Sequence, residues 1–356
     1  MGALAGHRGA WVRAQGPFAD GCRKLFVAGC PRSGTTWVRD VFRCHPQAVT
    51  STETALFDFL RQDWTVLVAA PLRKQRPRVG EEGPLRAPLL DALEWLLIRR
   101  RPPWYAHWRE ILVRYFGGRV AFVLNHSRVL PVPTLWARLR SRLVPYPDLL
   151  RAISAAEAVA GASGEEKTAH VARAILDGYF TRHGGAPRRL LVEKTPSHLF
   201  HGEFILRHLP EAKLIEVLRD GRDVCVSMDS YKRWMPQDRR FQVWLWARYV
   251  EAGRRLEAEP AFAGRLLQVR YEALSEDPAR EIRRMLEFAD LDAAPERVAE
   301  IAERTRLGKV EKAGEGRHYR KGVVGDWRGR LTAEDLEVFR QGAGPALESL
   351  GYAPFE

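Results

Sequence analysis

Cysteine and lysine are both scarce in this chain. Its 356 residues hold four cysteines, Cys22, Cys30, Cys44 and Cys225. They form no CxxC pair and no Cys/His cluster at zinc spacing. A disulfide scaffold and a structural zinc site are therefore not expected, and a reducing cytoplasm is the expected compartment. No uncharged apolar run reaches the roughly 18 residues of an ordinary transmembrane helix. Residues 1–23 lack the apolar stretch of a secretory signal and read as a loose leader. Hydrophobic residues at 46% and charged residues at 28% exclude global disorder.

Of the 57 basic residues only nine are lysine, and the net charge is +13. Arginine dominance fits anion binding by planar guanidinium forks, and it equally fits a GC-rich genome. The excess is uneven: residues 61–151 carry 17 basic against 7 acidic side chains. That segment offers peripheral contact with an anionic membrane or an acidic substrate.

Short apolar runs alternate with helical patterns. Strands are predicted at Lys24–Gly29, Arg189–Glu193, Lys213–Leu218 and Leu266–Arg270, and helices at Thr35–Cys44, Phe200–His208, Phe241–Glu257 and Pro278–Ala289. This alternation predicts a parallel sheet with right-handed crossovers. About 130 residues, roughly 60–188, separate the first two predicted strands, too many for one crossover. The stretch opens Pro/Arg-rich and continues through aromatic helical patterns around Trp95, Trp104, Trp108 and Trp136. It reads as a mostly helical insertion in a single domain spanning 24–356. His126 within it reads as structural or acceptor-side, and Arg99–Arg101 as a solvated face.

The most specific motif is Gly29-Cys-Pro-Arg-Ser-Gly34-Thr35-Thr36-Trp37, between a predicted strand and a predicted helix. There a glycine-containing loop can aim backbone N–H groups at a phosphate, with the positive end of the helix behind them. A nucleoside-triphosphatase loop would carry Lys at Thr35. Here the cation sits inside the loop as Arg32, and no apolar-x-Asp strand end suited to Mg²⁺ is evident. Triphosphate hydrolysis is disfavoured. Two alternatives stand: a nucleotide or small-molecule kinase, and a non-catalytic basic module binding polyanions or membrane through 61–151.

These residues resemble a family. The segment Pro31–Trp37 (PRSGTTW) looks like the 5′-phosphosulfate loop of sulfotransferases that use 3′-phosphoadenosine-5′-phosphosulfate (PAPS). Arg at position 32, where many cytosolic members have Lys, is similar to the tyrosylprotein and many bacterial branches. Leu218–Ser227 looks like the 3′-phosphate element, in which Arg219 and Ser227 would bind that phosphate. Tyr271 resembles the tyrosine that contacts the adenine, and Trp37 occupies the position that packs on the same base. Arg320-Lys321-Gly322-Val-Val-Gly325-Asp326-Trp327 looks like the RKGxxGDW segment that closes over the 3′-phosphate. The resemblance covers about 24–58 and 189–330. It implies an α/β fold with a P-loop NTPase-like parallel sheet flanked by helices. It also implies PAPS as co-substrate, 3′-phosphoadenosine-5′-phosphate (PAP) as product, no metal and no nucleic acid. The acceptor would be a small-molecule, lipid or saccharide hydroxyl, with the insertion forming its pocket or lid.

The resemblance further implies roles. Backbone N–H groups of Ser33, Gly34, Thr35 and Thr36 would hold the 5′-phosphate, and Arg32 would stabilise charge on the leaving oxygen. Arg stays protonated and acts there as an electrostatic donor, not an acid. In the cytosolic branch the general base is a His in a Lys-Thr-His segment. Here Glu193-Lys194-Thr195-Pro196-Ser197-His198 puts Pro196 at that place, with His198 two residues on. The segment is instead similar to glycan-modifying branches, whose base is a Glu shortly after the phosphate loop. Glu53, in Ser51–Phe59, matches that pattern. Glu53 is read as general base, with a salt-bridge or capping role as its alternative and His198 as the alternative base. Lys194 would orient donor or acceptor.

Overall fold

The computed structural model describes residues 22–51, 53–54, 56–57, 155–156, 158–159, 161–184, 188–230, 237–306 and 323–352. The chain divides into two units, one comprising Met1–Thr54 and Phe180–Glu356, the other Ala55–Tyr179. Arg320, Lys321 and Gly322 lie outside the described residues, as do His126, Arg99–Arg101 and the tryptophans of the basic segment.

The elements run β1 (Arg23–Ala28), α1 (Thr35–Arg43), β2 (Ala48–Thr50), α2 (Gly164–His183), β3 (Leu190–Lys194), a 3-10 turn (Pro196–His201) and α3 (Gly202–His208). They continue with β4 (Ala212–Leu218), α4 (Gly221–Asp229), α5 (Arg239–Glu257), β5 (Leu266–Arg270), α6 (Tyr271–Glu276), α7 (Pro278–Phe288), α8 (Pro295–Arg304) and α9 (Ala333–Ser349). Among the described residues no helix is long and apolar enough to cross a membrane.

The five strands form one sheet in the order β2-β3-β1-β4-β5, every pair parallel. The four predicted strands are present within a residue or two. β2 is an addition: three residues pairing Ala48–Thr50 with Leu190–Val192. It therefore precedes the long segment, and β3, not the second strand, follows it.

A parallel sheet is covered on both faces, so its strands are buried and mostly apolar. All seven residues of β4 and all five of β3 are buried. One face rests on a core built from Leu25, Val38, Val41, Phe42, Val217, Ile282 and Met285. Charges inside are compensated: Lys24 Nζ donates to Cys22 O at 2.9 Å and Glu211 Oε1 at 3.1 Å, and Lys213 Nζ donates to Phe288 O at 2.6 Å. The helix starts carry their own caps. Asp220, Asp238 and Asp277 each accept from a backbone N–H of the first turn, and Thr332 and Asp335 form a reciprocal capping box. In the second unit Ser163 and Glu166 cap α2 reciprocally, at 2.7 and 3.2 Å.

Gly221 lets α4 start against α5. A Cβ there would stand 2.5–2.8 Å from three ring atoms of Trp246. That indole is 2% exposed and donates to Arg219 O at 3.0 Å. Gly221→Ala is expected to destabilise by about 1–3 kcal/mol, since an overpacked ring has no room to yield. Thermal melts should show a fall of several degrees; an unchanged midpoint would mean the indole moves without cost.

Candidate functional site

The order β2-β3-β1-β4-β5 places a topological switch around β1, and ligands of open α/β sheets bind beyond the carboxyl ends of the strands there. Several segments singled out from the sequence follow these strand ends. The loop Gly29–Gly34 follows β1, Lys194 ends β3, Arg219 follows β4 and Tyr271 follows β5.

The loop is shaped by three left-handed residues. Gly29, Arg32 and Gly34 have φ of 144°, 77° and 106°. A Cβ on Gly29 would lie 2.5 Å from Val217 O, so only glycine lets the loop lie on β4. Arg32 is strained for a residue with a side chain, a feature that gathers at ligand-binding sites. Ser33 N donates to Cys30 O at 3.0 Å, and Trp37 N to Gly34 O at 2.9 Å, closing the turn into α1. Thr35 is buried and Thr36 half-buried at the helix start.

Tyr271 lies over this turn. A Cβ on Gly34 would stand 2.6 Å from Tyr271 Cδ2. Trp37 meets Tyr271 edge-on at 5.6 Å, and the Arg219 guanidinium lies over the Tyr271 ring at 4.1 Å. Both aromatics are 4% exposed, and burial raises the Tyr271 hydroxyl pKa despite nearby Arg219.

Arg219 and Ser227 are linked through Arg32. Arg32 Nε donates to Ser227 Oγ at 3.0 Å. Arg219 Nη1 donates to Arg32 O at 3.3 Å and Nη2 to Val323 O at 3.2 Å. Among the described residues, three buried polar atoms here have no hydrogen-bond partner: Ser33 Oγ, Arg219 Nε and Trp37 Nε1. Buried donors are costly to leave unpaired, and such a set around a phosphate-type turn fits an anionic ligand.

Two residues that the sequence reading left without a role brace this edge. Asp223 on α4 accepts from Gly325 N at 2.7 Å and Trp327 N at 3.0 Å, fixing the end of the basic closing segment. Burial raises the Asp223 pKa, with those two backbone bonds opposing. Arg222 forks onto Asp220 and stacks on Trp327 at 3.9 Å. The visible signal was an acidic residue in the first turn of the helix that Asp220 caps.

On the β3 side, Lys194 Nζ donates to Glu53 Oε1 in a close ion pair; the Lys194 side chain is 5% exposed and that of Glu53 51%. Glu193, one residue earlier, is buried. It accepts from Thr54 N at 3.1 Å, Thr54 Oγ1 at 2.8 Å and Thr195 Oγ1 at 2.7 Å. His198 is fully buried, with Nδ1 2.8 Å from Glu193 Oε2. Burial would raise the Glu193 pKa, but His198, Thr195 and Thr54 together hold it below the ordinary value.

The strand-loop-helix with left-handed glycines, on a parallel sheet with β1 central, defines a P-loop-type α/β fold. The sequence profile described as Sulfotransferase family matches residues 24–95 and 120–295, more than half of the chain. The chain belongs to that enzyme family. Cytosolic sulfotransferase 4 of Arabidopsis thaliana is 27% identical over 158 residues, covering 40% of this chain and 56% of the plant protein. The chain thus spans little more than half the length of that relative. Sulfotransferase STF9 from Mycobacterium avium is similar with a TM-score of 0.45 and 17% identity, over 94% of this chain and 79% of that one. Mouse sulfotransferase SULT7A1, solved with PAP, has a TM-score of 0.44 and 13% identity, over 93% and 89% of the two chains.

Proposed function

We propose that this chain transfers a sulfuryl group from PAPS to the hydroxyl or phenol of a small-molecule, lipid or saccharide acceptor and releases PAP. The observation that carries the reading is the cluster of unpartnered buried donors, Ser33 Oγ and Arg219 Nε, beside the left-handed loop. PAPS would supply the sulfuryl group and a phosphate leaving group. The N–H groups of Gly34, Thr35 and Thr36, with the Ser33 hydroxyl, bind the 5′-phosphate. Arg219 and Ser227 bind the 3′-phosphate, with Arg320, Lys321 and Gly322 closing over it, and Trp37 and Tyr271 flank the adenine side. Arg32 exchanges its Ser227 bond for the negative charge that grows on the leaving oxygen. Fixed donors of this kind supply much of the rate in group transfer.

Glu53 takes the acceptor's proton as the new oxygen–sulfur bond forms and the bond to the leaving oxygen breaks. Its half-exposed carboxylate faces where an acceptor can reach, held by Lys194. His198, with no exposed surface, cannot meet an acceptor without rearrangement. A cytoplasmic location belongs to the same reading, and none of the four cysteines forms a disulfide. Contact of the basic segment 61–151 with an anionic membrane or acidic substrate is part of the proposal as well.

The test is a set of thermal melts with PAP, ADP, adenosine 5′-phosphosulfate and ATP/Mg²⁺. Ligand at about 100 times Kd adds roughly 2.7 kcal/mol, a shift of several degrees. PAP should shift the wild type far more than ADP. Arg219→Ala should weaken PAP on the order of 10–100-fold, the worth of charge-assisted bonds, and adenosine 5′-phosphosulfate much less. Equal losses would reject the 3′-phosphate assignment, and a shift confined to ATP/Mg²⁺ would point to a kinase.

A further inference from the structure

Resting on that reading of the site, we infer that Glu193 is a positioning residue for the transfer step: its buried carboxylate clamps Thr54 and thereby holds Glu53 at Lys194. Consecutive strand residues point to opposite faces, so β3 presents Lys194 and Glu193 in opposite directions from adjacent positions. Those two side chains grip two consecutive residues, Lys194 taking Glu53 and Glu193 taking Thr54. The grip on Thr54 is double, through its backbone N–H and its hydroxyl, and Thr195 Oγ1 also accepts from the same N–H at 3.1 Å. Glu53 itself is half-exposed, so little packing fixes its side chain. The position of its carboxylate follows from the Lys194 pair and from the backbone one peptide away.

A carboxylate buried this deeply costs several kcal/mol in lost hydration unless it is well satisfied. Here two hydroxyls, one backbone N–H and the His198 ring supply that satisfaction from two stretches of chain, Thr54 on one side and Thr195 with His198 on the other. The ionised form is therefore the stable one, consistent with a pKa held low. His198 acts in this arrangement as the counter-group of Glu193 and not as a group that meets the acceptor. Both parts of the Glu193-Lys194 pair then serve the same segment, one from its charged side and one from its backbone.

The test measures PAP release from PAPS, with water and with 4-nitrophenol as acceptors, for Thr54→Val, Glu193→Gln, Glu53→Gln and the double variants with Glu53→Gln. Thr54→Val should lower kcat about 3–10-fold and Glu193→Gln on the order of 10–100-fold, with the PAP-induced melting shift and KM for PAPS unchanged. In the Glu53→Gln background both second changes should cost almost nothing further, because they act through Glu53. Full, additive losses in the double variants, or unchanged kcat in both single variants, would overturn the inference. If Glu193→Gln fails to fold, Thr54→Val alone decides, since it removes one hydroxyl from a chain whose backbone clamp remains. Undiminished turnover by Glu53→Gln, or no PAP release by the wild type with either acceptor, would instead remove the base assignment, and this inference with it.

Discussion

Glu53→Gln is expected to lower turnover by on the order of 10²–10⁴-fold, the usual contribution of a positioned general base. PAP affinity should stay the same or rise slightly. The reason lies in Lys194, which is nearly buried and has Glu53 as its ion-pair partner. Glutamine keeps the shape and can still accept a bond from Lys194 but no longer neutralises it. The ammonium charge is then more available to an anionic donor. Loss of kcat with retained or tighter PAP binding is a signature that a merely structural Glu53 would not give. Turnover within about threefold of wild type would sink the assignment and leave the Glu53–Lys194 contact as an ordinary half-exposed ion pair, worth about 1 kcal/mol or less.

Much of this frame was legible because it rests on local patterns. β1, β3, β4 and β5 are short apolar runs bounded by turn residues, and the helix starts carry readable caps. The phosphate loop was legible for the same reason: its glycines are needed where φ is positive or backbones approach closely. β2 was not, because three residues show no periodicity and exist as a strand only by pairing with β3. What escaped most completely was pairing over distance. Glu53 and Lys194 stand 141 residues apart, and Arg32 and Ser227 are 195 apart. The sequence suggested each residue, but not that Arg32 would rest on Ser227 or that Glu193 would brace Thr54. Glu193 reads in sequence as one more residue of a strand end; only the parallel register of β3 between β2 and β1 turns it inward beneath the Glu53 segment. Trp37 and Tyr271 are far apart in sequence, yet they meet edge-on and Arg219 lies over the Tyr271 ring, so the loop after β1 and the segment after β4 share one aromatic.

A second large effect is expected from Glu216, a residue that no step of the transfer uses. It lies in the middle of β4, three residues before Arg219, and is 1% exposed. The backbone of α5 comes so close that a Cβ on Gly253 would stand 1.9 Å from Glu216 Oε1. Burial pushes its pKa from 4.5 up to about 8; Gln268, donating to Oε2 at 3.0 Å, pulls the other way, and the Glu257 charge adds to the rise. The folded chain thus keeps a proton that the unfolded chain has lost between about pH 4.5 and 8. Stability must therefore fall as pH rises through that window and level off above it. The size follows from roughly 1.4 kcal/mol per pKa unit, giving on the order of 3–5 kcal/mol. Glu193 has the opposite sign: its lowered pKa gives stability that is complete above the ordinary carboxylate range and lost as pH falls below it. Glu216→Gln keeps a partner for Gln268 and removes the titration. Its melting temperature should exceed wild type by roughly 10 °C at pH 8 and match it near pH 5. Parallel curves across that range would mean that Glu216 is already ionised at neutral pH. Because Glu216 lines the same small cavity as Cys30, Ser33 and Arg219, the comparison also reports on the site. A charge appearing there draws on Arg219, so PAP binding to the wild type should weaken as pH passes 8 while that of Glu216→Gln stays level.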